Sequence, residues 1–161
     1  QQAITALNEI IAQVRQVIAG MEPKALNGRE LKTALKSLAL TAGEHQTQVS
    51  IQVDATAANL LTSQEATHFL NIAKEAMSNS LRHAQAQHTE VALHLVSGAV
   101  CLEITDDGVG FDPAAPHPGQ GLRNMAVRAR SLGAGFEVGS AAGQGTRVAA
   151  TLAKPTRHEP A

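Results

Sequence analysis

The order of elements along the chain predicts an α/β (α+β) two-layer sandwich, preceded by an N-terminal helix of coiled-coil type. Two patterns carry this. Most of the strand-like segments come in pairs joined by tight turns, without a helix between every pair, which disfavours a doubly wound parallel sheet. The helix-like segments are amphipathic and long enough to cover one face of such a sheet. With 161 residues, 43% hydrophobic and 17% charged, the composition allows a packed core without staples.

The first 22 residues place Ile4, Leu7, Ile11, Val14, Ile18 and Met21 at alternating spacings of three and four, a heptad seam. Such a seam suits either a bundle between chains or a helix packed on its own domain. Gly20 and Pro23 end it. Asn27 and Glu30 form a capping box for a second helix that turns Leu31, Leu35 and Leu38 inward and ends near Gly43. Val49 to Asp54 alternates with period two and predicts a strand. Thr62 and Glu65 make another capping box, opening a long helix to about Gln85 with Phe69, Ile72, Ala76 and Leu81 among its apolar positions. Glu90 to Val96 and Val100 to Thr105 read as a hairpin through Ser97-Gly98. A Gly- and Pro-rich stretch follows from Gly108 to Gly121, then a helix over Leu122 to Leu132 stopped by Gly133 and Gly135. Phe136 to Gly139 and Thr146 to Leu152 make the last hairpin, before a short polar tail. The expected organisation is 1–22, 27–153 and a tail at 154–161.

Composition excludes several classes. Thirteen Lys and Arg against 14 Asp and Glu give a net charge of −1, and only three aromatic residues are present, so neither bulk positive charge nor stacking platforms point to nucleic acid. One cysteine, Cys101, rules out an internal disulfide or a cysteine-based zinc site. No run of 18 apolar residues is present, so no membrane contact is expected of this segment. The start at Gln1-Gln2, already helical in pattern, reads as a piece of a longer protein whose upstream part could hold a membrane anchor. No P-loop string occurs, and Gly108-Val109-Gly110 lacks the third glycine and the strand-to-helix context of a dinucleotide site. His45, His68, His88, His94, His117 and His158 read as ordinary solvated histidines.

Three constellations could carry chemistry. Glu75, Asn79 and His83 lie four residues apart, so each step turns only about 40° and all three share one helix face, with Arg82 beside them. A carboxylate can accept a proton, an amide oxygen suits a hard cation, and Arg or His can meet phosphate, although a plain solvated stripe looks the same. Asp106-Asp107-Gly108-Val109-Gly110 puts carboxylates at a strand end before a loop that can approach a ligand closely; an acidic turn is the simpler reading. Gly119-Gln120-Gly121-Leu122 opens a helix with unobstructed N–H groups, an anion site by the helix dipole. Pro113, Pro116 and Pro118 ahead of it give the loop the composition of a lid, or of a linker.

Singly these are weak; in order they are specific. The strings Glu75-Ala76-Met77-Ser78-Asn79-Ser80-Leu81-Arg82-His83-Ala84, Thr105-Asp106-Asp107-Gly108-Val109-Gly110-Phe111 and Gly121-Leu122-Arg123-Asn124-Met125, followed by Gly143-Gln144-Gly145-Thr146, resemble the ATP-binding domain of the GHKL superfamily, the Bergerat fold. Within it they look like sensor histidine kinases of the nitrate-sensor type from bacterial two-component systems. The resemblance covers about residues 60–152. It implies ATP and Mg²⁺ as cofactors, with Asn79 holding Mg²⁺ and Glu75 as general base or polarising group. Asp106 would receive the adenine amine, and Gly108 and Gly110 would shape the floor of its pocket. Gly119, Gly121 and Leu122 would offer N–H groups to phosphate, Thr146 would reach the adenine end, and Arg82 and His83 would neighbour the phosphates.

The resemblance further implies a response-regulator receiver domain as partner, a homodimer in the full-length protein, and a cytoplasmic location in bacteria with possible anchoring in the inner membrane. Such kinases phosphorylate a histidine on the first helix of a dimerisation hairpin. Residues 1–22 resemble only the second helix of that hairpin, and neither His45 nor His158 fits the acceptor, so the fragment is expected to bind ATP without autophosphorylating. A non-enzymatic ATP-gated module and an anti-sigma-type serine kinase are the alternative readings within the superfamily.

Overall fold

In a computed structural model the described residues are 26–41, 47–113 and 119–154. The heptad segment 1–22, the loop residues Pro116 and Pro118, the histidines His45, His117 and His158 and most of the tail lie outside them. Four helices and five strands are described: α1 Gly28–Thr41, β1 Gln48–Val53, α2 Ala55–Asn59, α3 Ser63–Asn79, β2 His88–Val96, β3 Ala99–Asp106, α4 Gln120–Ser131, β4 Gly135–Ser140 and β5 Thr146–Ala153. A π-helical turn, Ser80–Ala84, prolongs α3.

Local chemistry sets the helix starts. Asn27 Oδ1 accepts the Glu30 N–H at 3.0 Å while Glu30 Oε2 accepts the Asn27 N–H at 2.9 Å, the expected capping box of α1. The Thr62–Glu65 box opens α3 in the same way. The short α2 was not anticipated; Asp54, expected to close the first strand, instead caps α2 by accepting the Thr56 N–H at 2.7 Å. Gly133 (φ 69°) ends the turn after α4, whereas Gly135, expected as a second helix stop, is the first residue of β4.

The strands form one sheet in the order β1-β2-β3-β5-β4. Both expected hairpins are present, and β3 and β5 pair antiparallel between them. Ser97 and Gly98 both have positive φ, 50° and 80°, the twist that a two-residue hairpin turn prefers. The exception is β1, which runs parallel to β2, because α2 and α3 provide the long crossover a parallel pair requires. The sheet is therefore mixed, and its helices lie over one face.

Period-two alternation assigns the faces. Val91, Leu93, Val100, Leu102, Ile104, Val148, Ala150 and Leu152 point into the core. Above them α3 buries Phe69, Ile72, Ala73, Ala76 and Met77, α4 buries Met125 and Ala129, and α1 buries Leu31 and Leu35. The other sheet face carries polar pairs, among them Arg147 with Glu103 and Gln52 with Glu90.

Candidate functional site

At one end of the core face the register aligns Thr89, Asp106, Thr146 and Ser140 on four adjacent strands. This polar row stands where the apolar rows stop, so the sheet leaves the core there and meets a cleft of about 1670 Å³ roofed by α3 and α4. Glu75, Asn79, Arg82, His83, Asp106, Gly110, Gly119, Gly121, Leu122 and Thr146 all line it. Residues from three sequence-distant constellations thus share one cavity. Gly108 stands one step back: a Cβ on it would collide with Ala84, and this closeness lets Val109 N–H bond the Ala84 carbonyl at 2.8 Å. The loop after β3 is thereby tied to the end of the long helix.

Asp106 is half-buried. Its Oδ1 accepts the Gly108 N–H at 3.0 Å. Burial pushes its carboxyl above the usual carboxylate range, against the lowering effect of backbone N–H bonds from Gly108 and Thr146. Its neighbour Asp107 turns the other way, accepting N–H bonds from His88 and Gln87 at 2.9 and 2.8 Å and meeting His88 Nδ1 at 2.8 Å. The His88 bonds, backbone and side chain, hold Asp107 below its ordinary value. The two adjacent carboxylates are thus separated by role: Asp107 fastens the start of β2, and Asp106 faces the cleft.

Glu75 and Asn79 keep the expected four-residue spacing within α3. The π turn begins after them, so Arg82 and His83 sit on a wider turn than an α-helix would give, yet both still line the cleft, exposed. Ser80 anchors that turn through a buried 2.6 Å hydrogen bond with Thr89. Across the cleft, α4 begins at Gly119 without a side-chain cap. A Cβ on Gly121 would overlap Glu75 Oε1 and lie 3.3 Å from Asn79 Nδ2, so the start of α4 rests directly on those two side chains. A carboxylate, an amide and uncapped N–H groups converge at that point.

Two groups were not foreseen. Ser140 accepts the Phe111 N–H at 2.9 Å and donates to the Gly145 carbonyl at 2.9 Å, locking the two loops at the Asp106 end together. His68, expected to be a solvated histidine, is half-buried in the cleft wall; burial, then the nearby Arg128 charge, lowers its imidazole pKa. The usable sequence signal was its place two turns before Glu75, on the same face. His88 remains exposed, as expected, but paired.

A mixed sheet under helices, with a polar strand-end row that holds the Asp106 carboxylate and faces an uncapped helix start, is the arrangement of the Bergerat class. Residues 64–156, more than half of the chain, match the family described as histidine kinase-, DNA gyrase B- and HSP90-like ATPase. The chain belongs to that family, as a catalytic domain of the sensor-histidine-kinase type. It is 31% identical over 130 residues to sensor histidine kinase MctS of Rhizobium johnstonii, covering 78% of this chain and 28% of that protein. It is also 31% identical over 148 residues to the nitrate/nitrite sensor protein NarQ of Escherichia coli, covering 89% of this chain and 25% of that protein. The chain therefore spans about a quarter of the length of these curated relatives. Among solved structures, the histidine kinase domain of the Erythrobacter litoralis EL346 blue-light activated kinase has TM-score 0.66 at 21% identity, covering 81% of this chain and 64% of that one. Full-length ShkA in complex with AMPPNP has TM-score 0.67 at 18% identity, covering 94% and 38%. These likenesses confirm the fold.

Proposed function

We propose that residues 27–153 bind ATP with Mg²⁺ and pass its γ-phosphate to a histidine outside residues 1–161, for relay to the receiver domain of a response regulator. The observation that carries this is the convergence of Glu75, Asn79 and Asp106 on one cleft beneath an uncapped helix start. Asp106 accepts the adenine amine, with Thr146 beside it and Gly110 allowing close approach. The N–H groups at Gly119, Gly121 and Leu122 meet phosphate, helped by the dipole of α4. Arg82 and His83 face the same anion. Glu75 polarises the attacking imidazole or accepts its proton.

The donor set suits Mg²⁺ in this setting. The ion keeps several waters and takes one or two protein oxygens plus phosphates, and the Asn79 amide beside Glu75 offers that many. Held there by the Asn79 amide and the Glu75 carboxylate, Mg²⁺ would supply positive charge against the phosphates. Residues 1–22 are read as the second helix of the dimerisation hairpin, and the full-length protein as a homodimer served from the cytoplasmic side. Among the described residues no helix is long and apolar enough to cross a membrane. The relative MctS is a sensor histidine kinase, which does not favour the ATP-gated module or the anti-sigma-type serine kinase.

Calorimetric titration tests the reading. Asn79→Ala should weaken Mg²⁺-ATP by about tenfold or more, the loss of one good polar contact. Asp106→Ala should weaken adenine nucleotides far more than inorganic polyphosphate; equal losses would overturn the adenine assignment. Glu75→Gln should spare binding and slow transfer in the intact kinase.

A further inference from the structure

Helix α3 changes its winding where it reaches the cleft. Ser80 N–H still reaches the Ala76 and Met77 carbonyls, and the chain then widens into the π turn Ser80–Ala84, which Gln85 closes with φ 52°. A single π turn is rare and a left-handed glutamine is unfavourable, so neighbouring elements must impose both. Two ties do so. The Ala84 carbonyl accepts the Val109 N–H at 2.8 Å, and the Ser80 and Thr89 hydroxyls meet at 2.6 Å.

Among the described residues Ser80 and Thr89 are the only polar residues buried in full, each 2% exposed. Such a pair contributes little net stability over two apolar groups of the same shape, because its bond replaces bonds to water. What it adds is direction: a hydrogen bond fixes the start of the turn at a set distance from β2. Thr89 lies directly across from Asp106 in the β2–β3 register, so the pair ties the turn to the strand position beside that carboxylate. The turn carries Arg82 and His83 into the cleft, and neither makes an ion pair among the described residues. With no ion pair of their own, their place relative to Asp106 is set by the backbone of the turn.

We infer that Ser80 and Thr89 are positioning residues, which hold the π turn so that Arg82 and His83 meet the polyphosphate while Asp106 meets the base. This rests on the nucleotide reading above and extends it to two hydroxyls that act without touching the ligand. Loosening the pair frees the turn to rewind, which swings Arg82 and His83 off the phosphates and leaves the base end in place.

The test compares ATP with adenosine, both with Mg²⁺ present, by NMR titration of the 161-residue chain. Ser80→Ala combined with Thr89→Val removes both hydroxyls and leaves no buried group unpaired, so its melting temperature should stay close to wild type. Its ATP affinity should fall about tenfold, the effect of a misplaced charge-assisted contact, with adenosine affinity unchanged. Thr89→Ser keeps the hydroxyl but empties the space of a methyl group. It should do the reverse: lower the melting temperature and preserve the ratio of ATP to adenosine affinity. On the Arg82→Ala/His83→Ala chain the double substitution should cost no further ATP affinity, because the groups it acts through are gone. Unchanged ATP affinity in the double variant, equal losses for ATP and adenosine, or a further loss on the Arg82→Ala/His83→Ala chain would each overturn the positioning role. The wild-type chain reports separately on the nucleotide reading. If it binds neither ligand, that reading falls and the positioning role with it; wild-type binding that the double variant shares in full removes the positioning role alone.

Discussion

Gly121 and Gly110 are both too crowded for a side chain, but by different kinds of neighbour. Gly121 is crowded by the end of the Glu75 side chain, which can swing aside. Gly110 has φ 62°, and its neighbours are the Ala141 and Gly145 backbone carbonyls, which cannot move without the turn. Gly121→Ala should therefore leave the melting temperature nearly unchanged while displacing Glu75 and slowing phosphoryl transfer. Gly110→Ala should destabilise the fold by about 1–3 kcal/mol through backbone strain. Thermal melts beside turnover in the intact kinase distinguish the two; equal destabilisation would contradict the difference in neighbours. At this scale the sequence shows residue types at helical and turn spacings, which was enough to select Glu75, Asn79 and Asp106. It could not show that His68 is enclosed, because enclosure depends on α4, more than fifty residues downstream.

The long helix α3 is fixed at both ends. At its start Glu65 serves two partners, accepting the Thr62 N–H and pairing with the largely buried Lys154 after β5. Burial alone would raise the Glu65 carboxyl, but the Lys154 bond and charge and the Thr62 bonds outweigh it and hold the group below its ordinary value of 4.5. A carboxylate with a depressed folded-state pKa adds stability that is present above its unfolded value and lost as pH falls through the folded one. Glu65→Gln keeps a capping side chain and removes only the ion pair. It should cost roughly 1–3 kcal/mol at pH 7, between the limits for exposed and buried pairs. The difference in melting temperature from wild type should close as pH drops below about 4.5; a difference constant with pH would mean the pair contributes nothing. At its other end the helix loosens into the π turn held by Ser80 and Thr89. The capping boxes were legible because their partners sit three residues apart. The π turn was not, since its anchor Thr89 belongs to a different element.

The described residues form a sheet with helices over one face, and the cleft is the gap between those roof helices and the polar end of that face. A ligand that binds only this assembled gap must stabilise the whole fold. Mg²⁺-ATP at about 100 times its Kd should add about 2.7 kcal/mol and raise the melting temperature by roughly 5–10 °C for a domain of this size. A chelator should remove most of that gain, and a melt unmoved by Mg²⁺-ATP would count against the site. By itself the sequence determined the two-layer class, the capping boxes, both hairpins and most of the residues that line the cleft, because each follows from spacings of two to four residues. Only the tertiary structure decided that β1 runs parallel to β2, that a short helix intervenes, and that His68 and Arg128 line one cleft. Strand direction and helix-to-helix contact depend on partners distant along the chain, and side-chain periodicity carries no record of which partner a face will meet.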